Sequence, residues 1–135
     1  MLKLHKSELT NAIICSFYNV YNRLGVGFLE KVYENALLVE MKKRGLSAEA
    51  QCPIAVYYDE EVVGEYFADI VVEQDIILEI KAVRCLTSAH EAQLVNYLKA
   101  TGAEVGLLLN FGPEPEVKRK VNTKDQEGRA AGISP

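Results

Sequence analysis

The chain has 135 residues, of which 49% are apolar and 25% are charged, and its formal net charge is −4 at pH 7. The length is that of one domain, and the balance of apolar and charged residues excludes a disordered or fibrous chain. The negative net charge excludes an indiscriminate polyanion-binding surface, so any contact with nucleic acid is expected to be local.

The amino-terminal stretch MLKLHKSELTNAII contains charged residues and no uninterrupted apolar run, so we do not expect it to act as a signal peptide. No segment approaches the roughly 20 apolar residues that a membrane-spanning helix needs. We therefore expect a cytoplasmic protein without a membrane partner. Cys15, Cys52 and Cys85 are widely separated, which favours reduced, mostly buried thiols over a disulfide framework or a metal cluster.

Two amphipathic helices are predicted in the first third of the chain. Apolar residues recur at helical spacing over residues 7–24 and again, after two glycines, over about residues 28–43. On the second helix, Glu30 shares one side with Tyr33 and Glu34. Charged residues on a surface helix usually form its solvated face, and this alternative stays open for Glu30.

β-Strands are predicted after residue 50, where the apolar period changes to two. A hairpin is expected from strands at residues 53–58 and 62–73, and a third strand follows at residues 76–83. A helix over residues 90–101 then leads to a continuous apolar strand over residues 105–111. This helix makes the connection between the third and fourth strands a βαβ crossover.

Taken together, these elements predict an α/β fold with a central mixed β-sheet, built from the hairpin and the βαβ crossover and flanked by helices. A short run at residues 117–121 is expected to add an edge strand. We expect residues 1–121 to form a single domain and residues 122–135 to form a flexible tail, because the tail has little apolar content.

The stretch ADIVVEQDIILEIK combines strand periodicity with charged residues that an ordinary buried strand lacks. Glu79 and Lys81 follow an apolar run and are two residues apart, so they share one face of the third strand. Pairing of the strands brings Asp69 beside them. Burying such charges costs several kcal/mol unless they are paired or bind a metal.

This charge pattern suits metal-assisted hydrolysis of phosphodiesters. Hard divalent ions such as Mg²⁺ bind carboxylate oxygens and keep several waters. In this interpretation Asp69, Glu79 and the backbone carbonyl of Ile80 hold the ion, while Lys81 orients the attacking water and offsets charge on the phosphate. The alternative is that Glu79 and Lys81 form a strand-end ion pair and Asp69 is a solvated carboxylate.

Several separated motifs carry a resemblance to a known family. GVGFLEKVYENAL has the GxxExxY signature at Gly27, Glu30 and Tyr33, and ADIVVEQDIILEIKAV and AQLVNYLKATGAEVGLLLNFG follow in the same order. In these motifs the chain resembles the GxxExxY family of the PD-(D/E)XK nuclease superfamily, in its RecB-like branch. The resemblance covers residues 7–121, and it departs at Ala68, where the superfamily name has proline.

The resemblance implies a restriction-endonuclease-like core and a nuclease site that depends on Mg²⁺ or Mn²⁺. It assigns Asp69, Glu79 and Lys81 to the catalytic core and makes Glu30 the helix acid that supports or binds the metal. It assigns Gln93 and Tyr97 to a helix that contacts substrate or holds the catalytic lysine.

The leading hypothesis is therefore a metal-dependent nuclease whose partner is nucleic acid, DNA before RNA, with a homo-oligomer left open. The alternatives are a catalytically silent nucleic-acid-binding or regulatory module and a small-molecule phosphoesterase. Lys118, Arg119 and Lys120 either contact a phosphate backbone or form a solvated sheet edge.

Overall fold

The structure is a computed structural model that describes residues 6–122. The flexible tail predicted from residue 122 onward lies outside the described residues except for Asn122, and the predicted domain boundary stays a prediction. The described residues form three helices and five strands, which are α1 (Lys6–Leu24), α2 (Glu30–Lys43), β1 (Ala48–Tyr58), β2 (Glu61–Val72), β3 (Ile76–Lys81), α3 (Ser88–Thr101), β4 (Val105–Phe111) and β5 (Pro115–Val121).

The five strands form one sheet in the order β1-β2-β3-β4-β5. β1, β2 and β3 pair antiparallel, β3 and β4 pair parallel across the α3 crossover, and β5 returns antiparallel to β4. One apolar core packs α1 and α2 on one face of the sheet, and a second core packs α3 on the other. The predicted α/β fold with a central mixed sheet flanked by helices is confirmed.

Some element ends differ from the prediction. β1 begins at Ala48 rather than at residue 53. The prediction missed its first residues because they are largely exposed and show no apolar alternation that could mark a strand. α2 begins at Glu30 rather than near residue 28, because Leu29 has an extended backbone with a ψ of 159°. β5 begins at Pro115 rather than at residue 117.

The cysteines correct one expectation. All three lie among the described residues and are free thiols, as predicted, but Cys15 and Cys85 are exposed and only Cys52 is half-buried. The prediction of mostly buried thiols is therefore wrong. Cys15 lies on α1 outside the buried stripe of that helix, to which Ile13 and Phe17 belong.

No helix within residues 6–122 is long and apolar enough to span a membrane.

The end of β3 is set by a buried side chain on the neighbouring strand. β3 ends at Lys81, earlier than the predicted residue 83. Asn110, which is fully buried on β4, accepts a hydrogen bond from Val83 N (2.9 Å) and donates one to Val83 O (2.9 Å). Asn110 also donates to Glu116 Oε1 (2.9 Å), which accepts from Leu86 N (3.0 Å). Side chains thus replace the strand ladder and fix the segment that follows Lys81.

This fixed segment makes Gly112 sensitive to substitution. A Cβ atom at Gly112 would lie 2.2 Å from Val83 O, a backbone atom that cannot move alone. We expect Gly112→Ala to lower the free energy of unfolding by about 1–3 kcal/mol, the usual cost of overpacking. Urea unfolding followed by circular dichroism measures this change.

Gly106→Ala is the matched control. The nearest atom to its added Cβ would be Leu94 Cδ1, at 2.8 Å, which belongs to a side chain that can shift without moving the backbone. We expect Gly106→Ala to destabilise the protein less than Gly112→Ala. Equal midpoints for the two variants would contradict the close approach at Gly112.

Candidate active site

Two carboxylates meet where β2 and β3 separate. The paired register runs as far as Ile70 and Leu78, so Asp69 and Glu79 are the next residues on the two strands. Asp69 Oδ2 accepts a hydrogen bond from Ile80 N (2.8 Å), and Glu79 Oε2 accepts one from Asp69 N (3.0 Å). Each carboxylate therefore binds the backbone of the other strand, and this exchange places the two acids side by side.

Burial makes both groups weaker acids. Burial raises the pKa of Glu79 to about 8, with a further contribution from the charge of Asp69. Burial also raises the pKa of Asp69, and the Ile80 N–H opposes this shift. The positive charge of Lys81 lowers the pKa of both groups without cancelling the effect of burial. At neutral pH the pair thus retains a proton that a bound cation would displace.

Lys81 ends β3 at the same place. It is half-buried, and none of the carboxylates within the described part of the chain forms a direct ion pair with its ammonium group. Its charge acts on Asp69 and Glu79 through space. The ammonium group is thus held near two acids and keeps its hydrogen-bonding capacity for another group.

Glu30 begins α2, and a buried tyrosine fixes the loop before that helix. Tyr33 stacks on Phe111 with ring centroids 4.1 Å apart. Its hydroxyl donates to Gly25 O (2.6 Å) and accepts from Phe28 N (3.2 Å), which fixes the loop before the helix. Glu30 is the first residue of α2 and is exposed, and its charge raises the pKa of both Asp69 and Glu79.

Sequence reasoning gave no role to a second acid of α2. Glu34 is buried, with a relative exposure of 4%, and its charge raises the pKa of Asp69. Gln51 Nε2 donates to both of its carboxylate oxygens (3.1 and 3.3 Å), and Lys31 Nζ donates to Oε2 (3.1 Å). Glu34 follows Glu30 by one helical turn, so its spacing was the available signal.

Two tyrosines, Tyr97 on α3 and Tyr66 on β2, lie next to the site. Tyr97 is buried, and burial together with the charges of Glu79 and Asp69 raises its pKa to about 12. Tyr66 on β2 lies beside it with ring centroids 5.6 Å apart and is 46% exposed. Gln93 lies one turn before Tyr97 and is half-buried. Tyr66 was missed because an aromatic residue in a strand is ordinarily core.

The basic run on β5 is partly neutralised. Lys120 Nζ forms an ion pair with Glu91 Oε1 of α3 (2.6 Å), while Lys118 and Arg119 are exposed. His90, on the same helix, accepts a hydrogen bond from Thr87 N through Nδ1 (3.0 Å) and so caps the helix start. A phosphate contact of this run would thus rest on Lys118 and Arg119.

Comparison with known proteins identifies the superfamily to which this chain belongs. The model of the PD-(D/E)XK nuclease superfamily matches residues 7–121. The chain belongs to this superfamily. Among solved structures, the crystal structure of SSO0001 resembles it with a TM-score of 0.57 and 22% sequence identity. No curated protein matches the chain.

The resemblance to SSO0001 concerns the fold. It covers 90% of this chain and 61% of that one, so the present chain spans less than two thirds of the SSO0001 chain. Together with the superfamily match, it shows that the mixed sheet and its flanking helices form a restriction-endonuclease-like core.

Nucleases of the PD-(D/E)XK superfamily generally use divalent metal ions, and the donor chemistry here fits such an ion. Within residues 6–122 no three acidic, histidine or cysteine side chains stand in metal-binding geometry. Mg²⁺, however, is usually bound through one or two carboxylates and retains several waters. Asp69 and Glu79 supply two carboxylates. Ile80 N faces β2, so the carbonyl of Ile80 faces the same gap between the strands.

The raised pKa of Glu79 predicts how stability depends on pH without metal. Between pH 5 and 8 the folded protein holds a proton that the unfolded chain, with a pKa near 4.5, has released. The free energy of unfolding therefore falls as the pH rises through this range, by about 1.4 kcal/mol per pH unit at most. Thermal unfolding in a chelating buffer at several pH values measures the decline.

Glu79→Gln removes the titrating group and is expected to flatten the decline. Glu65→Gln, at an exposed position on β2, is the matched control and should keep the wild-type slope. Parallel curves for Glu79→Gln and the wild type would show that Glu79 is not the group that titrates.

Proposed function

We propose that the chain is a metal-dependent nuclease that hydrolyses phosphodiester bonds of nucleic acid, with DNA preferred over RNA. The observation that carries the proposal is the pair of adjoining carboxylates, Asp69 and Glu79, next to the Lys81 ammonium group, which forms no direct ion pair with any carboxylate of residues 6–122. Within the superfamily, we assign the chain to the GxxExxY family of the RecB-like branch on its motifs.

The metal-binding part of the site is built from oxygen donors. Asp69, Glu79 and the carbonyl of Ile80 would hold Mg²⁺ or Mn²⁺, and Glu30 would support it from the start of α2. When bound, the ion supplies a lowered pKa for the attacking water and neutralises charge on the phosphate. Burial and, after it, the negative charge of neighbouring acids raise the pKa values of Asp69 and Glu79, and a cation at this position would relieve both effects.

The remaining residues act on the substrate. Lys81 donates hydrogen bonds to the attacking water or to a phosphate oxygen and offsets the charge that develops there. Tyr97 lies close enough to Glu79 and Asp69 for their charges to raise its pKa, and it closes one side of the site. Gln93, one turn away on α3, contacts the substrate in this proposal.

An assay with Mn²⁺ or Mg²⁺ tests the proposal. The substrates are linear and circular DNA, single- and double-stranded, with matched RNA. We expect cleavage of DNA, and a loss of at least about 100-fold in Glu79→Ala and in Lys81→Ala, the scale of a missing catalytic group. Cleavage of circular DNA would assign endonuclease action, and cleavage of linear DNA alone would assign action from ends.

Glu65→Ala, at an exposed position on β2, is the control and should retain full activity. Undiminished cleavage by Glu79→Ala would refute the assignment of the site. Uptake of Mn²⁺ without cleavage of any polymer would instead support a silent binding module. Turnover of nucleotides alone would support a small-molecule phosphoesterase.

A further inference from the structure

Gln51 has a backbone conformation that is unusual for its position. It lies inside β1 and has a φ of +54°, in the left-handed region that residues other than glycine rarely adopt. The register of β1 and β2 pairs Ala50 with Ile70 and Cys52 with Ala68, but the pair between them, Gln51 and Asp69, is missing. The irregularity thus lies directly opposite a candidate metal ligand.

The missing pair releases the backbone N–H on which the candidate site depends. Alternate residues of a strand face the same neighbour, and Glu73 N, at the end of β2, donates to Ser47 O (2.7 Å). In a regular ladder this alternation would turn Asp69 N toward β1, where it would donate to Gln51. It donates instead to Glu79 Oε2 (3.0 Å). A regular ladder at Gln51 would compete for this N–H.

The side chains of β1 and β2 switch to the opposite face of the sheet at the same place, next to Gln51 and Asp69. On β2, Ala68 packs in the core beneath α3 and Ile70 in the core beneath α1 and α2, although residues two apart normally share a face. On β1, Cys52 and Ala48 divide between the two cores in the same way. The irregularity therefore extends across both strands and is built into the packing of the sheet.

The side chain of Gln51 is tied to a buried acid. Its amide donates to both oxygens of Glu34, which lies on α2 and is 4% exposed. These hydrogen bonds hold Gln51 in a left-handed backbone conformation, which costs free energy in a residue other than glycine. Such a strained backbone persists only where the surrounding structure enforces it. The same Glu34 charge acts on Asp69.

We propose that Gln51, anchored by Glu34, is a positioning residue of the metal site. Its left-handed backbone turns β1 away from Asp69, so that the Asp69 N–H is free to hold the carboxylate of Glu79 beside that of Asp69. The role rests on the proposed metal-dependent function. It assigns Gln51 no contact with metal or substrate.

Calorimetric titration with Mn²⁺ tests this role without relying on activity. Gln51→Val introduces a β-branched residue that strongly disfavours a positive φ, so it favours the regular ladder. We expect its affinity for Mn²⁺ to fall at least tenfold. Gln51→Gly adopts the left-handed conformation freely and should stay within about threefold of the wild type.

Gln74→Val is the matched control. Gln74 also has a left-handed backbone, with a φ of +56°, but it lies in the turn between β2 and β3, at the opposite end of β3 from the site. We expect this variant to lose thermal stability and to keep its affinity for Mn²⁺. If Gln51→Val does not fold, Gln51→Ala disfavours the same conformation more mildly and is titrated in its place.

The outcomes separate the two proposals. Equal Mn²⁺ affinity in Gln51→Val and the wild type would overturn the positioning role and leave the proposed function standing. A loss in Gln51→Gly as large as in Gln51→Val would also overturn it, because the amide and not the backbone would then matter. A wild-type chain that takes up no Mn²⁺ would overturn both proposals.

Discussion

Where β2 and β3 diverge, the hydrogen bonds of the sheet pass from the backbone to two acidic side chains. Asp69 accepts from Ile80 N, and Glu79 accepts from Asp69 N. Burying two acids together costs several kcal/mol, and these bonds offset only part of that cost. Burial, together with the charges of nearby acids, raises both pKa values and makes the strand end a position where a cation is favoured. The surrounding elements serve to keep this arrangement in place.

Three buried side chains on different elements keep the arrangement in place. Tyr33 stacks on Phe111 and fixes the loop before α2, which brings the helix acids to the sheet. Asn110 replaces the ladder beyond Lys81 and so fixes the strand end that carries the lysine. Tyr97 closes the α3 side of the site. The positions of Asp69 and Glu79 thus depend on ordinary packing and hydrogen bonding in the layers on both faces of the sheet.

The sequence predicted the layers and their order well, because apolar period and strand-helix alternation are local signals that tertiary packing preserved. Strand pairing predicted that Asp69 lies beside Glu79, and the resemblance to a known family indicated a role for Glu30. The helical pattern placed Glu30 and Glu34 on the same face of α2, because residues one turn apart share a helix face. It could not show that Glu34 is the buried one of the two. The left-handed Gln51 leaves no mark in composition, since its conformation depends on a partner distant in the chain.

The most direct test of the candidate metal site is a crystal structure of the chain with Mn²⁺, using the anomalous scattering of manganese to locate the ion. We predict an anomalous peak between the carboxylates of Asp69 and Glu79, within coordinating distance of both and of the carbonyl of Ile80. A peak elsewhere on the molecule, or none at this position in crystals saturated with Mn²⁺, would contradict the proposal that this strand end binds metal.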